Sequence, residues 1–134
     1  MRDRVQLAVL CCAVLLPAAF GGSLFHAQSR PDVAVRIENA SEKDFDGVVV
    51  KFPEQQENYG RIPAASISSY RTVTKAYRFA YVEITLGDEV AVLQPIDFFG
   101  ATLLQPGRYT YRFTLNANSR SQYDRVRLEF VVEK

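Results

Sequence analysis

Tryptophan is absent from this 134-residue chain, which has one histidine and two cysteines. The cysteines are adjacent, Cys11 and Cys12, and the histidine is His26. Everything downstream of His26 lacks both residue types. That excludes Ser-His-Asp and Cys-His catalytic arrangements there. It also excludes a disulfide framework and thiolate or imidazole metal sites. Charge of a single sign is lacking too: 16 basic residues face 15 acidic ones, with no basic run and no acidic tail. Nucleic acid and anionic membrane surfaces require concentrated positive charge, so neither is expected as a main partner. No low-complexity segment is visible, and no repeat of about 20–50 residues.

One long apolar run is present, and it lies at the start. Met1-Arg-Asp-Arg4 is charged, Val5 to Phe20 is almost wholly apolar, and Pro17 and Gly21-Gly22 end the run. Charged start, apolar core and small-residue exit are the layout of a secretory signal. The continuous core, Leu7 to Phe20, is 14 residues, whereas a membrane-spanning helix needs about 20. Ala19, Gly21 and Ser23 suit cleavage after Gly21 or Ser23, so the mature chain is expected to begin between Gly22 and Gln28. Residues 1–23 are read as a signal peptide, or as an N-terminal anchor if retained. Only the retained form is expected to engage a membrane. Ala8-Val9-Leu10 before Cys11 does not match the Leu-(Ala/Ser)-(Gly/Ala)-Cys pattern of a lipoprotein signal, so the two cysteines read as small apolar residues of the run. The expected location is the periplasm or the exterior. Loss of Arg2, Asp3 and Arg4 leaves 14 basic and 14 acidic residues. Residues 24–31 read as a linker and 32–134 as one domain, long enough for a sizeable core.

After Pro31 the apolar period is two. Val33, Val35 and Ile37 alternate with Ala34, Arg36 and Glu38. Val48–Phe52 is a second strand, stopped by Pro53, and Glu54–Gly60 reads as a polar loop. Ile67–Thr74 is a weaker strand. Tyr77–Leu86 reads as a long one, with Gly87-Asp88 turning into Val90–Gln94. Arg108–Leu115 and Tyr123–Val132 complete about seven strands rich in Val, Ile, Tyr, Phe and Thr. No segment carries a sustained helical stripe; Phe98–Leu104 has room for at most a turn or two. The expectation is an all-β, antiparallel, two-sheet sandwich, with a small closed barrel as the alternative.

At Leu104-Gln-Pro-Gly-Arg-Tyr-Thr-Tyr-Arg-Phe113 the pattern Leu-x-Pro-Gly-x-Tyr resembles the start of a late strand in immunoglobulin-like and transthyretin-like sandwich domains. The resemblance implies a Pro-Gly turn with Tyr109 packed at the corner, its hydroxyl bonded to nearby backbone. It covers about ten residues and implies no activity, because sandwiches host many functions. The Cys…Trp…Cys pattern of true immunoglobulin domains is missing. The whole chain is also similar to small uncharacterised exported proteins of bacteria.

Few residues offer chemistry. Ser66, Ser68 and Ser69 lie near Lys75 in sequence, but none sits in a nucleophile motif, and catalysis needs preorganised geometry. Glu42-Lys-Asp44-Phe-Asp46-Gly47 resembles the start of a calcium loop. It departs from one at its first position, Glu, and at its twelfth, Pro53. Asp44 and Asp46 are weak metal candidates, and the plainer reading is a turn. Two aromatic triads each alternate along one face, Tyr77/Phe79/Tyr81 and Tyr109/Tyr111/Phe113. Exposed, Tyr77, Phe79, Tyr81, Tyr109 and Tyr111 form a binding face. Buried, they are core, the favoured reading. Arg78, Arg108 and Arg112 fall on the opposite faces and read as solvated. Asn39-Ala-Ser41 has the form of an N-glycosylation triplet.

Together these features point to a non-enzymatic exported binding module, with no cofactor and with an envelope or extracellular protein as partner. A carbohydrate or small-ligand module using exposed aromatics is the alternative, and a hydrolase with a carboxylate site is the third reading.

Overall fold

The computed structural model describes residues 32–96 and 100–134. Residues 1–31, with the signal, both cysteines, His26 and the linker, lie outside the described residues, as do residues 97–99. Among the described residues there is no helix and there are nine strands. They are β1 (Val33–Asn39), β2 (Gly47–Phe52), β3 (Gln55–Asn58), β4 (Ser66–Ile67), β5 (Arg71–Val73), β6 (Tyr81–Leu86), β7 (Glu89–Leu93), β8 (Gly107–Leu115) and β9 (Val126–Val132). One sheet has the order β4-β1-β8-β9, with β5 also on β1; the other is β3-β2-β6-β7. This is the all-β two-sheet architecture that the alternation predicts.

Period-two alternation decides which side chains meet between the sheets. Val33, Val35 and Ile37 of β1 point inward, as do Val48, Val50 and Phe52 of β2, Val82 and Ile84 of β6, and Tyr109, Tyr111 and Phe113 of β8. Burying each of these contributes roughly 1.5–3 kcal/mol. With no cysteine in the described residues, that shared core holds the sheets together.

Three features differ from the alternation pattern. β1 and β8 run parallel, in register from Val33 opposite Gly107 to Asn39 opposite Phe113. A parallel pair needs a long crossover, and here most of the chain, including the whole second sheet, lies between the two strands. The polar stretch after Pro53 is a strand, not a loop. Gln55–Asn58 pairs with β2 through a two-residue turn in which Glu54 takes a φ of 66°. A polar edge strand buries little on either face, so hydrophobic periodicity does not reveal it. Ile67–Thr74 is divided into β4 and β5, which pair with opposite ends of β1.

Asn39 ends β1 fully buried. Its Nδ2 donates to the carbonyls of Lys43, Ile62 and Pro63 at 2.8, 3.0 and 3.1 Å. Its Oδ1 accepts from the Ser41 amide and hydroxyl. The glycosylation triplet is thus a structural plug, with its amide nitrogen enclosed and committed. Asn39→Ala leaves the Pro63 carbonyl and the Ser41 amide without these partners and is expected to destabilise by about 1–3 kcal/mol in denaturant melts.

Two buried tyrosines give the fold an alkaline limit. Tyr59 donates to the Val35 carbonyl at 3.0 Å and Tyr111 to the Tyr77 carbonyl. Burial raises both hydroxyl pKa values above the ordinary 10, and for Tyr59 the charge of Glu57 adds to the effect. A raised folded pKa means that the neutral rings stabilise the fold fully below pH 10 and that this is lost as pH rises beyond it. Phenolate absorbance of these two rings is expected to appear only together with the loss of near-ultraviolet circular dichroism. Early, independent titration of all seven tyrosines contradicts this.

Candidate functional site

The aromatic segment before β6 is not the strand its alternation suggests. β6 begins at Tyr81. Upstream, the Ala76 carbonyl accepts from the Leu104 amide at 2.8 Å, and the Tyr77 carbonyl accepts from the Tyr111 hydroxyl. Those acceptors are engaged by distant groups rather than by a neighbouring strand. The freed segment lets the Tyr77 and Phe79 rings stack on one another, 5.7 Å between centroids and 10° between planes. Tyr81 lies elsewhere, on the outer face of its sheet. Lys51 Nζ sits 4.4 Å from its ring, and its hydroxyl donates to Glu83 at 2.9 Å. That bond to a carboxylate raises its pKa.

Tyr109 is built as the Leu-x-Pro-Gly-x-Tyr pattern implies. Its hydroxyl donates to the Gln105 carbonyl at 2.6 Å. Gly107 has a φ of 158°, and a Cβ there would lie 3.4 Å from that hydroxyl and 3.6 Å from the ring. Those are ordinary van der Waals separations, so the backbone angle rather than the ring favours glycine there. Tyr109 also stacks on Phe130 of β9, at 5.4 Å and 24°. Tyr111 is fully buried between Phe52 and Phe130.

Phe79 and Tyr109 thus line one groove, which Tyr111 and Tyr81 do not. Together with Leu103, Phe130 and Val132, Phe79 and Tyr109 line an open groove of about 570 Å³ at the end of the sandwich where β1 begins. Leu103 and Val132 are 40% and 58% exposed at its rim. Arg78 is the only charged residue among the described residues lining it, and its guanidinium carbon stands 5.7 Å from the Phe130 centroid. A cation over a ring face is an attractive arrangement. No carboxylate lines the groove among the described residues. Such walls can take up an apolar group and place one anion beside Arg78. Among the described residues they hold no acid–base pair.

The other sequence candidates are dispersed. Asp44 accepts from Arg61 Nη2 at 2.5 Å and from the Ala64 amide at 2.8 Å. The Ala64 bond, with Arg61 beside it, holds its carboxyl below the ordinary range. Asp46 accepts from the Gly87 amide at 2.7 Å. Each carboxylate ties one loop to another. Among the described residues no group of three or more His, Cys, Asp or Glu is placed to hold a metal ion. Ser66 and Ser68 donate to backbone carbonyls, and Lys75 pairs with Glu54 at 2.8 Å, so serine and lysine are not brought together. Leu103, Phe130 and Val132 carry no motif. Their signal is weak: paired apolar residues at Leu103-Leu104 and Val131-Val132, where strict alternation lapses.

No protein-family model matches this chain, and no curated protein matches it significantly. An NMR structure of a protein from Eubacterium rectale is similar to it, with a TM-score of 0.53, covering 80% of this chain and 95% of that one. Identity is 10%, so the likeness shows a shared fold and nothing about activity.

The corner and the core make separable demands. Tyr109→Phe is expected to keep the fold and cost about 0.5–1.5 kcal/mol, one hydrogen bond. Phe113→Ala empties a fully buried site and is expected to cost roughly 3–5 kcal/mol. Denaturant midpoints of the two variants check the order.

Proposed function

We propose that this protein is a non-enzymatic, exported β-sandwich that works by binding another envelope or extracellular protein. The groove receives an apolar segment of that partner, and Arg78 meets an acidic group on it. One observation carries the reading: Phe79, Leu103, Tyr109, Phe130 and Val132 converge on an open groove with one cation and no carboxylate among the described residues. Exposed apolar walls with a polar rim suit recognition. The absence of histidine and cysteine downstream of His26 supports binding over catalysis, and the charged start and short apolar run support export. The Tyr109 hydroxyl bond to Gln105 supports an immunoglobulin-like or transthyretin-like descent of the sandwich. No cofactor and no nucleic acid enters this reading.

A groove of about 570 Å³ also falls in the range of small-ligand sites, roughly 300–1,000 Å³, so a small apolar ligand is the second reading. Stacking a sugar is less favoured, because Tyr77 and Phe79 stack on one another and so each has one face covered.

Leu103→Asp and Val132→Asp place charge at exposed rim positions. Each is expected to abolish capture of the envelope partner in cross-linking while leaving the melting temperature near that of the unaltered protein. Capture that survives both substitutions rejects the groove as the contact.

A further inference from the structure

The two sheets leave four edges, and each edge is a row of backbone groups open to another strand. Three are guarded. β3 is polar throughout, Gln-Gln-Glu-Asn. The edge beyond β1 is broken into β4, two residues, and β5, three. β7 is strapped by the loop before β9, where the Val92 amide donates to the Gln122 carbonyl at 3.0 Å. Among the described residues the fourth edge has no such device. β9 is seven residues long, pairs only with β8 in unbroken register, and contains neither proline nor glycine. Leu128, Phe130 and Val132 share one of its faces, and Arg127 and Glu129 share the other.

We propose that β9 pairs antiparallel with β9 of a second copy of this chain, related by a two-fold axis at Leu128. Charge selects both the occupant and the register. Antiparallel self-pairing sets each residue opposite one fixed residue of the other copy. An axis at Glu129 sets two carboxylates face to face. An axis at Phe130 sets Arg127 opposite Glu133, whose carboxylate is already taken by Arg36 at 2.9 Å and Thr110 at 2.5 Å. An axis at Leu128 sets Arg127 opposite Glu129 of the second copy, and by symmetry does so twice. Arg127 makes no ion pair among the described residues. Glu129 is 63% exposed and holds only Arg112, at 3.2 Å. On the other face Leu128 meets Leu128 and Val126 meets Phe130. The sequence Arg-Leu-Glu is thus complementary to itself about its centre. A two-fold contact of this kind closes on itself, giving a dimer rather than a fibre. The inference does not depend on what occupies the groove.

Sedimentation equilibrium of the purified protein tests it. The unaltered chain is expected to dimerise. Arg127→Glu sets like charges opposite twice and is expected to weaken the dimer by roughly tenfold or more, and Glu129→Arg does the same. An equimolar mixture of the two variants restores both Arg–Glu pairs, so it is expected to form the heterodimer that neither forms alone. Thermal melts check that both stay folded, and Glu129→Gln with Arg127→Gln serves if a charge reversal unfolds the chain: each is then expected to weaken the dimer relative to the unaltered chain, and a dimer as strong as the unaltered one overturns the proposal. A chain that stays monomeric at millimolar concentration overturns the proposal. So does a dimer indifferent to these substitutions, or a mixture that fails to associate where the unaltered protein does.

Discussion

Buried tyrosine hydroxyls are the constraint around which this fold is arranged. A large ring removes much apolar area from water, but its hydroxyl must still find an acceptor. Tyr59, Tyr109 and Tyr111 each solve this by donating to a backbone carbonyl, of Val35, Gln105 and Tyr77 respectively. Two of these bonds tie segments distant in sequence, and the third ties a local turn. Tyr59, just after β3, reaches across to β1 in the opposite sheet. Tyr111 of β8 fixes the irregular segment before β6, and Tyr109 fixes the turn leading into its own strand. A chain with no cysteine in the described residues thereby gains cross-links that are also core. The groove follows from the same bonds. The Tyr111 hydroxyl holds Tyr77 out of a ladder, which lets Phe79 turn toward Tyr109 and Phe130.

Much of the fold was legible because period-two alternation is a local signal of a half-buried strand. β1, β2, β7, β8 and most of β9 can be read from it. β3 could not, because Gln55–Asn58 has no apolar face to alternate. Its cue was the turn, and Pro53-Glu54 reads equally well as a stop. Tyr77–Ala80 misled for the opposite reason: the alternation is real, but the partners of its backbone lie about thirty residues downstream, at Leu104 and Tyr111. The parallel register of β1 and β8 is likewise non-local. Asn39 shows the limit of a triplet motif, since nothing in Asn-Ala-Ser announces three carbonyls converging from Lys43, Ile62 and Pro63. Of the groove, sequence offered Phe79 and Tyr109 as candidate aromatics. Phe130 and Val132 became part of it through pairing of β8 with β9, and Leu103 through the bond of the Leu104 amide to the Ala76 carbonyl.

The ionic groups play a different part. Glu133, bonded to Thr110 and Arg36, has its carboxyl held below the ordinary range by the Thr110 hydroxyl first and the guanidinium second. Arg112 bridges Glu38 and Glu129. Arg36 and Arg108 both stand over the ring of Tyr70, at 4.8 and 5.4 Å. These contacts lie across the outer face of the first sheet, where solvent screens them and each contributes little. Their effect is to dress that face in both signs of charge. A sheet face covered in this way does not stack on another protein without losing those pairs, whereas the apolar groove and the β9 edge have contacts to gain.

Placement matters as much as composition. The chain enters β1 at Asp32, whose carbonyl accepts from the Gly107 amide at 3.1 Å, beside Tyr109 and hence beside the groove. β1 then runs away from that end. Asp44 and Asp46, in the segment that joins the far end of β1 to β2, therefore lie at the opposite end of the sandwich from the groove, so the carboxylates that tie loop to loop and the apolar walls that could take up a partner occupy separate ends of the domain.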